Sequence, residues 1–114
     1  LERVNLDREL RLQSLYKMGR CAQKMDRPDE AFEAYIEVVY SFLGEALVRS
    51  SKNLLWFTRA GFAAATLQVD LENPTGAIAV YDRMVEAAVP ASNEAQKRAE
   101  ALKGSLQSVG QELE

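Results

Sequence analysis

The sequence predicts an all-α protein. Residues that favour helix dominate the chain, and only 6 glycines and 3 prolines occur among its 114 residues. No alternating apolar run is bounded by an Asn-Gly or Asp-Gly turn, so no β-hairpin is predicted. The chain also matches itself when it is shifted by 46 residues, the separation of Pro28 and Pro74. Repeats of this kind are typical of solenoids built from helix pairs.

Prolines and turn-forming residues divide the chain into five predicted helices. Proline is tolerated in the first turn of a helix and disfavoured inside one, so Pro28 and Pro74 each begin a helix and Pro90 ends one. The cluster of turn and cap formers at 50–53 marks a further break. Gly44 is an alternative, earlier end for the second helix. The predicted helices span 3–25, 28–48, 52–71, 74–88 and 93–110, and the last is expected to be capped by Ser92 or Asn93.

The apolar residues of each predicted helix share faces that suit its place in the order. The core face of the first helix consists of Leu15, Met18, Gly19 and Ala22. The third helix is apolar on two faces, as expected of a helix between two neighbours, with stripes of Leu54, Phe57, Gly61, Ala64, Ala65 and Gln68 and of Trp56, Ala60, Ala63 and Leu67. The fifth helix has one stripe, which suits a terminal cap and consists of Ala95, Ala99, Leu102, Leu106 and Val109.

The repeated segments resemble a tetratricopeptide repeat. The first copy has the spacing of large, small and aromatic residues of that family at Leu15, Met18, Gly19, Ala31 and Tyr35. The second copy keeps the spacing at Gly61, Ala64, Ala65, Ala77 and Tyr81 but lacks the first large residue. The 46-residue period is longer than the family's usual period of about 34 residues.

The resemblance implies a right-handed α-solenoid of antiparallel helix pairs. It predicts a single domain over 1–114, with repeat one at 3–49, repeat two at 52–89 and a capping helix at 92–112. Because two repeats and a helix are short for an independent solenoid, and because the chain begins with Leu1, we expect a fragment of a longer protein.

Composition excludes several classes of function. The chain carries 14 basic and 17 acidic residues, for a formal net charge of −3, and both signs occur in both halves, so a nucleic-acid partner is not expected. No stretch approaches the roughly 20 apolar residues that span a bilayer, so we expect a soluble chain without membrane insertion. No histidine is present, and no phosphate loop or dinucleotide motif occurs, so neither an enzyme nor a cofactor is predicted.

Three groups of residues offer chemistry that we interpret as structural. Cys21 has no histidine to activate it and is expected to be an ordinary, at least half-buried thiol. The acidic residues Glu30, Glu33 and Glu37 follow helical spacing and are expected to form a solvated face rather than a metal site. Trp56 and Phe57 are expected to pack in the core rather than to hold a cofactor.

The predicted function is the binding of a protein or peptide segment. In tetratricopeptide-like solenoids the first helix of each pair lines a concave groove, and helical geometry places two sets of side chains on the corresponding faces here. These candidate partner-binding residues are Gln13, Tyr16, Arg20 and Gln23 on the first helix and Lys52, Arg59, Phe62 and Thr66 on the third. An ordinary solvated face is the alternative interpretation. The lysine and asparagine clamp of co-chaperone members is not matched, so chaperone tails are not expected to bind.

A second hypothesis is self-association into a homodimer through the N-terminal helix. That interface would use the apolar residues Val4, Leu6, Leu10 and Leu12. The sequence leaves the compartment open between the cytoplasm and a bacterial periplasm or cell envelope, where related repeats also occur.

Overall fold

Five α-helices and no strands make up the secondary structure of the residues described by the computed structural model, which are 2–44 and 50–113, with side chains described at 7–44 and 50–108. The helices are α1 (Glu2–Lys24), α2 (Pro28–Gly44), α3 (Ser51–Asp70), α4 (Pro74–Glu86) and α5 (Ser92–Leu113). The predicted starts at Pro28 and Pro74 are confirmed. Residues 45–48, predicted to continue the second helix, lie outside the described residues.

In the turn between α1 and α2, a residue just after the end of α1 adopts the left-handed backbone conformation. Asp26 has a φ of 57°, in the region that L-residues seldom adopt. The backbone N–H of Arg27 donates to the carbonyl of Ala22 (2.9 Å), and that of Asp26 donates to the carbonyl of Gln23 (3.0 Å). This pair of bonds is a Schellman motif, which satisfies the last carbonyls of α1 and directs the chain into Pro28.

The turn between α3 and α4 repeats this geometry 46 residues later. Glu72, the equivalent of Asp26, has a φ of 59°. The N–H of Asn73 donates to the carbonyl of Gln68 (2.8 Å), and that of Glu72 donates to the carbonyl of Val69 (3.0 Å). Asn73 then caps α4, since its side-chain oxygen accepts from the N–H of Gly76 at 3.2 Å. The sequence repeat is therefore also a repeat of backbone conformation.

The core lies where α2 and α3 pack against each other and against their neighbours. Each helix packs on the next along the chain, and α1 also lies directly against α3. The largest side chains that are almost fully buried are Leu12, Tyr35, Val38, Val39, Asn53, Phe57 and Met84. The rings of Phe42 and Phe57 stack with their centroids 4.3 Å apart. Phe57 is thus a core residue as predicted, whereas Trp56 is only half-buried.

Gly19 allows the closest contact between α1 and α2. A Cβ atom at this position would lie 2.6 Å from Cδ1 of Tyr35, whose side chain is fully buried. Gly19 and Tyr35 are both positions of the repeat spacing in the first copy. Met18, predicted to share the core face with Gly19, is instead 60% exposed, because α2 and α3 both pack on other sides of α1.

Two predictions about the ends of the chain need correction. Leu12 is 1% exposed and belongs to the core of its own chain, so it is not available for the proposed N-terminal interface. Leu10 is 49% exposed, and the side chains of Val4 and Leu6 lie outside the described ones. The hydroxyl of Ser92 does not cap α5, because it donates to the carbonyl of Met84 (2.8 Å) and accepts from the N–H of Val89 (3.0 Å).

Among the described side chains of α5, the buried and half-buried apolar ones lie in the first half of the helix. Ala95 and Ala99 are buried against α4 and Leu102 is half-buried, but Leu106 is 40% exposed and Val109 lies outside the described side chains. The predicted stripe therefore ends at Leu102. The molecule is a flat body of 57 × 32 × 17 Å with a radius of gyration of 15.1 Å, above the roughly 13 Å of a globular chain of similar length.

Candidate functional site

A cleft of about 470 Å³ opens between α1 and α3. Its α1 wall is formed by Tyr16, Arg20, Gln23 and Lys24, and its α3 wall by Phe62, Ala63 and Thr66. Each group recurs at helical spacing, so one face of each helix points into the cleft.

Five of the eight predicted site residues meet in this cleft: Tyr16, Arg20, Gln23, Phe62 and Thr66. The other three, Gln13, Lys52 and Arg59, do not line it. Residues that share one face of a helix can lie at different levels along its axis, because a helix rises about 1.5 Å per residue. Lys52 therefore lies roughly 15 Å from Phe62 along α3, where its ammonium pairs with Glu9 at 3.7 Å.

The α1 wall is held in place by a chain of aromatic and polar contacts. The ring of Tyr16 contacts those of Tyr35 and Trp56, each with a centroid distance of 5.7 Å. Arg20 donates from Nη1 to the hydroxyl of Tyr16 at 3.2 Å, and this bond raises the pKa of Arg20 above its ordinary value. An arginine guanidinium carries its positive charge in proteins whatever its surroundings, so Arg20 presents a permanent cation at the cleft.

Tyr35 connects this wall to the core. Its hydroxyl donates to the side-chain oxygen of Gln23, which fixes the Gln23 amide at the edge of the cleft. Burial of the ring raises the pKa of Tyr35 to about 12, with a smaller contribution from Tyr16. Tyr35 therefore stays neutral and continues to donate this hydrogen bond well above neutral pH.

The α3 wall combines the apolar residues Phe62 and Ala63 with Thr66, and it extends toward α5. The Phe62 ring packs beside Tyr81, with centroids 6.2 Å apart, and the guanidinium of Arg98 lies 4.5 Å from the Phe62 centroid. Arg98 also pairs through Nε with Glu94 at 3.1 Å. Ala63, which lacks a long side chain, leaves room for an apolar group from a ligand.

Arg59 lies beside the cleft rather than in it. Its guanidinium is 5.6 Å from the centroid of Trp56, a cation–π contact, because long helical side chains point back toward the N-terminus of their helix. The indole Nε1 of Trp56 is buried and has no hydrogen-bond partner in the part of the chain that the structure describes.

The parts of α1 and α3 that flank the cleft have basic residues but no acidic ones. Residues 10–24 of α1 and 51–69 of α3 contain no aspartate or glutamate and six basic residues, Arg11, Lys17, Arg20, Lys24, Lys52 and Arg59. The helices α2 and α4 show the reverse composition, with Arg83 against Asp29, Glu30, Glu33, Glu37, Asp82 and Glu86. A count of charges over each half of the chain does not reveal this difference, because each half contains one helix of the basic kind and one of the acidic kind.

Three cationic side chains at the cleft have no carboxylate partner among the described residues. They are Arg20, Lys24 and Arg59, whereas Lys52 pairs with Glu9 and Arg11 pairs with Glu37 at 2.8 Å. Lys24 was not predicted as a site residue. Its spacing of four from Arg20, the separation that brings side chains onto one helical face, was the signal that could have identified it.

Other concave surfaces on the described residues include one between α2 and α4 and one on the outer side of α1. A groove of about 340 Å³ between α2 and α4 is bordered by Phe32, Ile36 and Tyr40. A depression of about 440 Å³ on the outer side of α1 is bordered by Met18, Cys21 and Met25. Cys21 is exposed there, contrary to the expectation that it would be at least half-buried.

Two of the acidic residues predicted on the solvated face of α2 form ordinary surface ion pairs. Glu37 pairs with Arg11 across to α1, and Glu30 lies 3.8 Å from Arg27. Within the described ranges, no three histidine, cysteine, aspartate or glutamate side chains are grouped as metal ligands. No helix over those same ranges is long and apolar enough to cross a membrane.

Comparison of the chain with protein-family models, curated proteins and solved structures finds no match.

Proposed function

We propose that this chain is a non-enzymatic interaction module that binds a peptide or protein segment in the cleft between α1 and α3. One observation carries the proposal. Side chains held in place by packing, Tyr16 and Phe62, border the same cleft as the cations Arg20 and Lys24, which have no carboxylate partner among the described residues. Rigid aromatic side chains and arginine are the residue types that contribute most to protein interfaces.

We also propose that the helices form a right-handed solenoid of antiparallel, tetratricopeptide-like pairs. The Schellman turns at Asp26 and Glu72 support repeated pairs, because both link a first helix to a second helix with the same hydrogen bonds. Contacts between α1 and α3 occur in the same order along both helices, from Glu9–Lys52 to Tyr16–Trp56 and then the cleft. The first helices thus run in the same direction, as successive repeats require.

A binding role suits the chemistry of the cleft better than catalysis. Its polar groups are a phenol, a guanidinium, an ammonium, an amide and a hydroxyl. Among the described residues none of them is paired with a carboxylate, and the sequence contains no histidine. Such groups can hold a partner by hydrogen bonds and charge, but they lack the activated nucleophile or the acid–base pair of an enzyme.

Site-specific photo-crosslinking tests the proposed function. A photoreactive residue at Thr66, exposed at the cleft, is compared with one at Glu33, exposed on α2, in lysate of the source organism. We expect adducts at Thr66 that are absent at Glu33. The double variant Arg20→Glu, Arg59→Glu should reduce them about tenfold, because each reversed charge repels the segment that the cations attract.

The matched control carries the same change of charge away from the cleft, as Arg83→Glu, Lys103→Glu, and circular dichroism verifies that all variants are helical. Equal adducts at Thr66 and Glu33 would contradict the proposal. An adduct of twice the chain's mass at Thr66 would favour self-association instead.

A further inference from the structure

We infer that the segment bound in the cleft is extended and carries two acidic side chains that flank an apolar one. This inference rests on the proposed function and specifies its partner. It follows from the distribution of charge between the helices, the different chemistry of the two cleft walls, and the spacing of Arg20 and Lys24.

The helices differ in net charge, since α1 and α3 are net positive whereas α2 and α4 are net negative. The cleft lies between the helices that have no acidic residue over 10–24 and 51–69, whereas α2 and α4 behind them carry six acidic residues and Arg83. Because exposed charges interact over a Debye length of about 8–10 Å, the α1–α3 side attracts anions although the chain as a whole has a formal charge of −3.

The two walls of the cleft require different side chains from a ligand. Arg20 and Lys24 on α1 are exposed cations that a pair of carboxylates can neutralise. Phe62 and Ala63 on α3 are half-buried and apolar, so they suit an apolar side chain. A ligand lying along the cleft must therefore present acidic groups to one wall and an apolar group to the other.

An extended segment meets this requirement with adjacent residues. Successive side chains of an extended chain point to opposite sides, and alternate ones are about 6.6 Å apart. Arg20 and Lys24 are four residues apart on α1, a rise of about 6 Å, so two carboxylates separated by one residue match them. The residue between the carboxylates then points toward Phe62 and Ala63.

The aromatic rings of the cleft argue against a nucleic acid. Single strands are held by bases stacked on exposed ring faces. The Tyr16 ring already contacts those of Tyr35 and Trp56, and Phe62 packs between Tyr81 and the guanidinium of Arg98. The acidic pI of about 5.1 is also far below the values typical of nucleic-acid-binding domains.

Fluorescence polarisation with defined probes tests the inference on the full chain. The probe is a labelled peptide with a central Glu-Leu-Glu flanked by glycine and serine, compared with Gln-Leu-Gln and Glu-Ser-Glu analogues. We expect the Gln-Leu-Gln analogue to bind about tenfold more weakly and the Glu-Ser-Glu analogue several-fold more weakly. Binding of Glu-Leu-Glu should weaken as salt concentration rises, because the charges at the cleft are exposed.

Matched variants of the chain locate the binding. The variant Arg20→Gln, Lys24→Gln should bind the Glu-Leu-Glu probe about tenfold more weakly, whereas Arg83→Gln, Lys97→Gln, which also removes two positive charges, should change binding less than about twofold. Circular dichroism and thermal unfolding verify that both variants are folded.

Other results would overturn the inference. These are equal binding of the Glu-Leu-Glu and Gln-Leu-Gln probes, equal effects of the two variants, or no binding of any probe. Tighter binding of a single-stranded oligodeoxythymidine would point to a nucleic acid. Salt-sensitive binding of unlabelled chain to labelled chain, lost in Arg20→Gln, Lys24→Gln, would point to the acidic side of a second copy. If the partner crosslinked at Thr66 binds through a segment without acidic residues, the inference fails while the proposed function stands.

Discussion

Gly19 and Gly61 are the same residue type, but the side chains that surround them differ in how easily they can move. Gly19 lies inside α1 and Gly61 inside α3, and glycine is a poor helix former. At Gly19 the space for a Cβ is filled by the ring of Tyr35, which is fully buried and bonded to Gln23. At Gly61 the same space is filled by the Sδ and Cε atoms of Met84, the end of a flexible side chain.

We therefore expect opposite outcomes from two identical substitutions. Gly19→Ala should lower the free energy of unfolding by about 1–3 kcal/mol, because the rigid Tyr35 ring has to move. Gly61→Ala should change it by less than about 1 kcal/mol, since the gain in helix propensity offsets the shift of Met84. Urea unfolding of both variants checks this, and equal losses would show that the Tyr35 ring moves as readily as Met84.

At the scale of elements, the turns repeat more faithfully than the helices they join. Asp26 and Glu72 both adopt a left-handed conformation, and the same two backbone hydrogen bonds surround each. The helices differ more, since α1 spans 23 residues and α3 spans 20, and Met18 on α1 corresponds to the fully buried Ala64 on α3. Backbone geometry is local, whereas burial depends on which neighbour lies alongside.

These turns predict a stabilising substitution. Asp26→Gly and Glu72→Gly should each raise the free energy of unfolding by about 0.5–1 kcal/mol, because glycine adopts a positive φ without the steric cost that other residues bear. Thermal or urea unfolding measures the change. The control is Glu33→Gly in the interior of α2, which should lower stability by about 1 kcal/mol. A loss of stability at Asp26 or Glu72 would mean that their side chains contribute more than the backbone strain costs.

At the scale of the whole molecule, each helix is stabilised mainly by its neighbours along the chain. Among the described residues, α5 packs chiefly on α4, and its apolar contact residues end at Leu102. Residues 103–108 are exposed on every face of the helix. In such an arrangement a terminal helix protects the apolar side of the helix beneath it, while its distant end contributes little.

We expect the two parts of α5 to differ in their effect on stability. A chain that ends at Ala91 should lose about 3 kcal/mol or more of its free energy of unfolding, because the surfaces covered by Ala95, Ala99 and Leu102 become exposed. A chain that ends at Gly104 should lose less than about 0.5 kcal/mol. Urea unfolding of the two truncated chains tests this, and similar losses would be inconsistent with packing that ends at Leu102.

The sequence by itself determined the features that depend on neighbouring residues. Pro28 and Pro74 start helices because proline suits a first turn, and the helical faces that contain Tyr16 and Phe62 follow from 3.6-residue periodicity. Only the tertiary structure decided the features that depend on distant residues. It placed Lys52 beside Glu9 and away from the cleft, left Met18 exposed, and brought the basic stretches of α1 and α3 side by side. The physical reason is that periodicity defines the direction of a side chain around its helix, whereas the packing of helices defines which side chains lie at the same height and face each other.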